Sequence, residues 1–156
     1  MSYEIRSILY ASDLTPRSPA VFRHAVGLAL RFGAKLHAVT VTTPTTSLPF
    51  TEFIKKETLD EIKVAGRNQA ESLLQQRIDI FAEAHPDMDV KSVLTSVRAL
   101  EGEPARQILD MAKHTLADMI VMGSRGHSAI GELLIGSVAH KVTMKADVPV
   151  VLVPID

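Results

Sequence analysis

Met119-Ile120-Val121-Met122, held between Asp118 and Gly123, constrains the fold of this chain more than any other stretch. A strand with one wet face alternates apolar and polar residues, because successive side chains point to opposite sides. An unbroken apolar run bounded by turn-forming residues belongs to a strand buried on both faces, the usual state inside a parallel sheet. Such a strand needs helices above and below it, and a crossover connection to each parallel neighbour.

The remainder of the sequence supplies both kinds of element in alternation. Ile5–Ser12, Ala34–Thr43, Val90–Val97 and Pro149–Val153 are further short β-rich runs, which with Asp118–Met122 make five strands. Between them, Val21, Ala25, Leu28 and Ala29 recur at helical spacing, as do Ile108, Leu109, Met111 and Ala112. Thr15-Pro16 and Ser18-Pro19 have the chemistry of a helix start, a hydroxyl cap followed by proline, and Gly33 is a natural stop. Gly136-Ser137 opens a last helix that runs to about Ala146. The stretch from about Thr51 to His85 is helical, with Ile62, Ala65, Leu73, Leu74, Ile78, Phe81 and Ala82 as its apolar stripe. A straight helix of that length, roughly 50 Å, outruns an ordinary strand. A break or an overhang near Ala65-Gly66 follows, with the part before it covering one edge of the domain.

The pattern predicts an α/β fold: a single doubly wound domain over residues 1–156, with a five-stranded parallel sheet and helices on both faces. Right-handed crossovers restrict the strand orders, and 3-2-1-4-5 is the order chosen. It puts the first and fourth strands side by side at the point where the order reverses, where open α/β sheets bind ligands beyond the carboxyl ends of the strands. The residues at those two ends are Asp13 and Gly123.

Composition narrows the function classes. A net charge of −1 offers no broad positive field for nucleic acid or an anionic membrane. No apolar run reaches the roughly 18–20 residues of a membrane helix, and the first residues lack a signal-peptide pattern. Cysteine is absent, so thiolate metal sites, disulfides and cysteine nucleophiles are excluded. The six histidines show no ligand spacing, so no protein metal site is expected. A cytoplasmic protein that binds neither nucleic acid nor membrane is the expectation.

After the apolar strand come Gly123-Ser124-Arg125-Gly126, then His127, and further on Gly136-Ser137 at a helix start. Glycines let an anion approach backbone N–H groups with no Cβ in the way. A helix N-terminus presents unpaired N–H donors and partial positive charge. The Ser137 hydroxyl can cap that helix or donate to a phosphate oxygen, and Arg125 and His127 stand in the loop as added charge. The order of glycines is neither a Walker A loop nor the dinucleotide fingerprint. Glycines also serve as plain turn punctuation, but a pair placed after a buried strand and before a helix suits phosphate better.

The run Val121–His127, then Gly136-Ser137-Val138, then Asp147–Val153, together with Ser12-Asp13 at the end of the first strand, resembles the universal stress protein family, and its ATP-binding subclass in particular. The resemblance spans essentially the whole chain. It implies a homodimer and an ATP site made by Ala11, Ser12 and Asp13, by Val41, by Met122 to His127 (with Ser124 and Arg125), and by Gly136, Ser137 and Val138. Asp13 would bind the ribose, backbone near Val41 the adenine, and Gly123 would lie near the ribose. Gly126, Gly136 and Ser137 would hold phosphates. Magnesium would arrive with ATP, bound mainly by phosphates and water. Leu14 departs from the family, many of whose members have glycine after the aspartate.

Three functions are open: a dimeric nucleotide-dependent stress or signalling module, a slow ATP hydrolase or phosphoryl-transfer protein, and a nucleotide-free dimeric interaction module. No Walker B acid is identifiable, and Arg125 is the only loop candidate for a γ-phosphate clamp. Ser137 and His140 lie one turn apart without an orienting acid, so no catalytic pair is assigned. Met111, Met119, Met122 and Met144 are assigned to the core. The apolar strand Val148–Val153 falls at the sheet edge in the chosen order, and an exposed edge invites pairing with a second copy.

Overall fold

The computed structural model describes residues 3–42, 51–125 and 135–155. Five strands, β1 (Ser7–Ser12), β2 (Lys35–Thr42), β3 (Leu94–Glu101), β4 (Met119–Gly123) and β5 (Val150–Val153), form one sheet in the order β3-β2-β1-β4-β5. Every pairing is parallel. The helices are α1 (Ser18–Phe32), α2 (Lys56–Ala84), the short α3 (Val90–Val93), α4 (Pro104–His114) and α5 (Ser137–Lys145), with a 3-10 turn at Thr51–Phe53.

The two-residue period of the central strands divides the core into two layers. Ile8 and Tyr10 of β1 and Val121 of β4 point to one face, where they meet Val21, Phe22, Ala25, Val26 and Ala29 of α1 and Leu74, Ile78 and Phe81 of α2. Leu9, Ala11, Ile120 and Met122 point to the other, against Ile108, Met111 and Ala112 of α4 and Ala139 and Val142 of α5. All six residues of β1 are buried, as a strand covered on both faces requires. On the first face, Phe22 packs 5.1 Å from Tyr10 and 5.0 Å from Phe81, ring centre to ring centre, tying β1, α1 and α2 together.

Several local expectations are corrected. The third strand runs Leu94–Glu101, not Val90–Val97, because residues 90–93 form α3. Val90 and Val93, both buried, are spaced for one helical face, and Ser92 Oγ donates back to the Asp89 carbonyl. The opening of α1 lacks the hydroxyl cap, since Arg17 occupies that position. Thr15 Oγ1 is engaged by Asp13, and Ser18 is buried with its carbonyl accepting from Tyr10. Gly33 does end α1 in the left-handed conformation, at φ +63°.

The long helix has no break. α2 is continuous over 29 residues, and Gly66 sits within it with no neighbour in reach of a side chain. The overhang alternative holds, because none of its residues before Leu74 is buried. Its inward stripe there is polar: Lys63 reaches Glu101 at 3.8 Å, and Glu71 Oε1 accepts from the Ala99 amide at 3.3 Å. Ile62, Ala65 and Leu73, assigned to the apolar stripe, therefore face outward. Met144, assigned to the core, is 72% exposed, because α5 turns Ala139 and Val142 inward instead.

Candidate functional site

Because β1 and β4 are neighbours whose crossovers depart to opposite faces, a crevice opens beyond their carboxyl ends. It holds a cavity of about 590 Å³. Its walls are the turn after β1, the end of β2, Met122 and Gly123 of β4, the start of α5, and the chain end at Ile155. Pro104 and Ile108 of α4 close one side. Most of this lining is apolar, with Ser12, Asp13, Ser18, Thr40, Thr42, Arg125 and Ser137 as polar points.

The turn after β1 is held by a set of short-range bonds. Ser12 Oγ accepts from the Leu14 amide at 3.1 Å. Asp13 Oδ1 accepts from the Thr15 amide at 3.0 Å and from the Thr15 hydroxyl at 2.8 Å. Asp13 is thus the turn former that any strand-end aspartate can be, and it also lines the cavity. Leu14 takes φ +59°, a left-handed conformation that costs a side-chain-bearing residue about 1–2 kcal/mol. The backbone path that glycine follows freely is therefore kept here with leucine, and the leucine packs against the core beneath. From outside the turn, Thr40 Oγ1 donates to the Ser12 carbonyl at 2.9 Å, and Arg77 Nη1 donates to the Thr15 carbonyl at 2.7 Å. Beneath it lies Tyr10, whose phenol burial pushes up to about 12.

On the opposite wall, the two ends of the glycine loop are brought together. The Gly136 amide donates to the Ser124 carbonyl at 2.8 Å, and the Ser124 amide donates to the Val153 carbonyl at 2.9 Å. Gly136 is the N-cap of α5 and Ser137 its first residue, and no side chain caps the helix. The Ser137 hydroxyl therefore does not serve as a cap, and both it and Val138 line the cavity. Gly123 leaves room for Ile155, since a Cβ there would overlap Cδ1 of that side chain unless it shifts. Arg125 lines the cavity and its guanidinium donates to the Ile155 carbonyl.

Of the residues singled out in the sequence, Ala11, Ser12, Asp13, Val41, Met122, Gly123, Arg125, Gly136, Ser137 and Val138 surround this one cavity. Ser124 is not part of the lining and acts through its backbone as the clasp of the loop. Gly126 and His127 lie outside the described residues. The contribution of Ile155 was not foreseen, nor were those of Pro104 and Ile108. Ile155 follows the last strand with no motif around it, and the other two belong to a helix whose spacing marks them only as core. Among the described residues no group of three or more His, Asp or Glu is placed to hold a metal ion, and no helix is long and apolar enough to cross a membrane.

The sequence profile described as the universal stress protein family matches residues 4–154. The chain belongs to the universal stress protein family. Among family relatives, universal stress protein YxiE of Bacillus subtilis (strain 168) is 31% identical over 150 residues, covering 94% of this chain and 97% of the relative. The universal stress protein UspA from Lactobacillus plantarum has the same fold, with a TM-score of 0.76 at 25% identity over 99% of this chain and 100% of its own. A universal stress protein solved in complex with cAMP shares the fold at 20% identity, with a TM-score of 0.65 over 97% and 98% of the two chains. The order 3-2-1-4-5 and the helices on both faces are those of the universal stress protein fold.

Proposed function

We propose that this universal stress protein is a cytoplasmic adenine-nucleotide-binding module, loaded with ATP and working as a homodimer in a stress or signalling response. The observation that carries the reading is that Asp13 and the Gly136-Ser137 start of α5 line the same cleft from opposite walls. Its volume lies within the range of about 300–1,000 Å³ common to small-ligand sites. Val39, Val41 and Ile108 supply apolar walls suited to a purine, and the uncapped first turn of α5 supplies N–H donors suited to phosphate. A carboxylate has about four acceptor positions, so Asp13 can hold its turn and still accept from a ribose hydroxyl. Gly123 would lie beside the ribose, and Gly126 would join Gly136 and Ser137 at the phosphates. Magnesium would be carried by the phosphates and water, because among the described residues the lining offers a single carboxylate, Asp13. The cAMP held by the related protein has the same base and sugar, which makes the adenine nucleotide class the natural first test.

Binding, not turnover, is the proposed activity. Arg125, the loop's candidate clamp for a γ-phosphate, is engaged with the Ile155 carbonyl, and phosphoryl transfer wants such a charge on the transferring group. The dimer is proposed through β5, an edge strand whose Val150, Val151 and Leu152 are only partly buried.

The decisive experiment is calorimetry of the purified protein with ATP, AMP and cAMP, beside the absorbance ratio of the protein as isolated. With no Trp and only two Tyr, co-purified nucleotide gives a plain excess at the shorter wavelength. Binding of ATP, lost in Ser137→Ala combined with Asp13→Ala, is the expected result. Clean protein that binds none of the three nucleotides overturns the reading.

A further inference from the structure

At the end of the sheet opposite the nucleotide cleft, the amino ends of β1, β2 and β3 and the last turn of α4 enclose a cavity of about 710 Å³. Its charged lining is dominated by cations: Arg6, Lys35 and Arg98, with the imidazoles of His37 and His114 between them. Asp118 is the lone carboxylate in that lining, and its Oδ2 accepts from the backbone amides of Arg6 and Ser7 at 2.8 and 3.1 Å. Arg6 pairs with Glu4. Among the described residues, no ion pair involves Lys35 or Arg98. In a chain of net charge −1, this concentration of positive charge in a concave site is a local feature, not a consequence of composition.

We infer that this cleft is a second ligand site, for a small phosphate-bearing anion held by Lys35 and Arg98 over His37. The chemistry suits that ligand in three ways. A guanidinium presents paired N–H donors that match phosphate oxygens, and an ammonium adds a point charge. His37 forms the half-buried floor, its Nδ1 2.7 Å from the Ser96 hydroxyl, so its ring is oriented before any ligand arrives. The concave shape fits a small molecule and not an extended polymer.

His37 is sensitive to the charge around it. Burial first, then the charges of Lys35 and His114, holds its imidazole below the usual range. The other charges around the cavity are Arg6 and Glu4 ahead of β1, Arg98 on β3 and Asp118 ahead of β4. A phosphate between Lys35 and Arg98 offsets their charge, which favours the imidazolium and raises the His37 value. By linkage, a phosphate of given charge binds more tightly to the protein with His37 protonated than with it neutral.

The test is a pH titration of the His37 and His114 imidazole resonances by NMR, with inorganic phosphate against sodium chloride at matched ionic strength. A phosphomonoester forms a second arm. Phosphate is expected to raise the His37 midpoint by about half a pH unit or more, and the shift is expected to vanish in Lys35→Gln/Arg98→Gln. Both substituted positions are exposed, so an unchanged amide spectrum elsewhere verifies the fold of the variant. A phosphomonoester acting at lower concentration than phosphate identifies a phosphorylated metabolite as the occupant, and the reverse identifies free phosphate. A His37 midpoint that neither anion moves, or that moves equally in the double variant, overturns the inference. The readout is remote from the nucleotide cleft, so failure of the ATP reading leaves it intact.

Discussion

Arg77, in the last third of α2, donates to the carbonyl of Thr15 across 62 positions of sequence at 2.7 Å. The bond ties the long helix to the turn that carries Asp13 and the left-handed Leu14. A non-glycine residue stays in that conformation only where its surroundings over-determine it. Ser12 and Asp13 do so from within the turn, and Arg77 does so from a different element.

Arg77→Met should therefore lose both stability and ligand affinity. The bond has a charged donor, so about 1.5–3 kcal/mol of stability is at stake. Calorimetry should show adenine nucleotide binding weakened several-fold, with Arg77→Lys recovering part of it. Denaturant unfolding measures the first effect. An unchanged midpoint would mean that the turn holds itself.

Gly123 and Ile155 should be coupled. Gly123→Ala drives a Cβ into Ile155 Cδ1, the flexible end of a side chain, so the cost should be moderate, about 1–2 kcal/mol. Ile155→Ala removes the obstacle. A double-mutant cycle by denaturant unfolding should then give a favourable interaction energy of about 1 kcal/mol, and simple additivity would refute the contact.

Glu103 is the N-cap of α4, with its carboxylate accepting from Ala105 and Arg106 amides at 3.3 and 2.9 Å. The bond from Arg106, then that from Ala105 and the charge of Lys141, outweighs burial and lowers its value. A lowered carboxylate stabilises the fold above its unfolded value and loses that effect as pH falls through the folded one. Glu103→Ala should cost about 1 kcal/mol near neutral pH. The gap between variant and parent should close in acid, as followed by thermal unfolding across pH.

Val150→Pro should separate dimerisation from folding. Pro149 and Val153 turn their carbonyls to β4, so the alternate residues Val150 and Leu152 present their N–H groups to the outer edge. Proline at Val150 deletes an outward donor and leaves the β4 ladder whole. Sedimentation should show a folded monomer. A dimer that survives would move the interface away from β5.

The two faces of the sheet were legible in the chain, because Met119–Met122 can be satisfied only by cover on both sides, and right-handed crossovers narrowed the strand order. The position of the cleft followed from that order. Local spacing failed where two periods fit the same residues, as at Val90 and Val93, and where a helix meets polar groups instead of core, as at Lys63 and Glu71.

Asp13, Gly123, Gly136 and Ser137 could be placed at the cleft from sequence because each has a local reason to be where it is: a strand end, a close approach, a helix start. Ile155 over Gly123 and Arg77 on Thr15 have none. They are contacts between residues far apart in the chain, chosen by the way α2 and the chain end pack on the sheet, and no pattern of neighbours encodes them. Periodicity and turn chemistry act over a few residues and determined the elements and their order. Which side chains meet across those elements, and so what surrounds the cleft, was decided only by close packing in three dimensions.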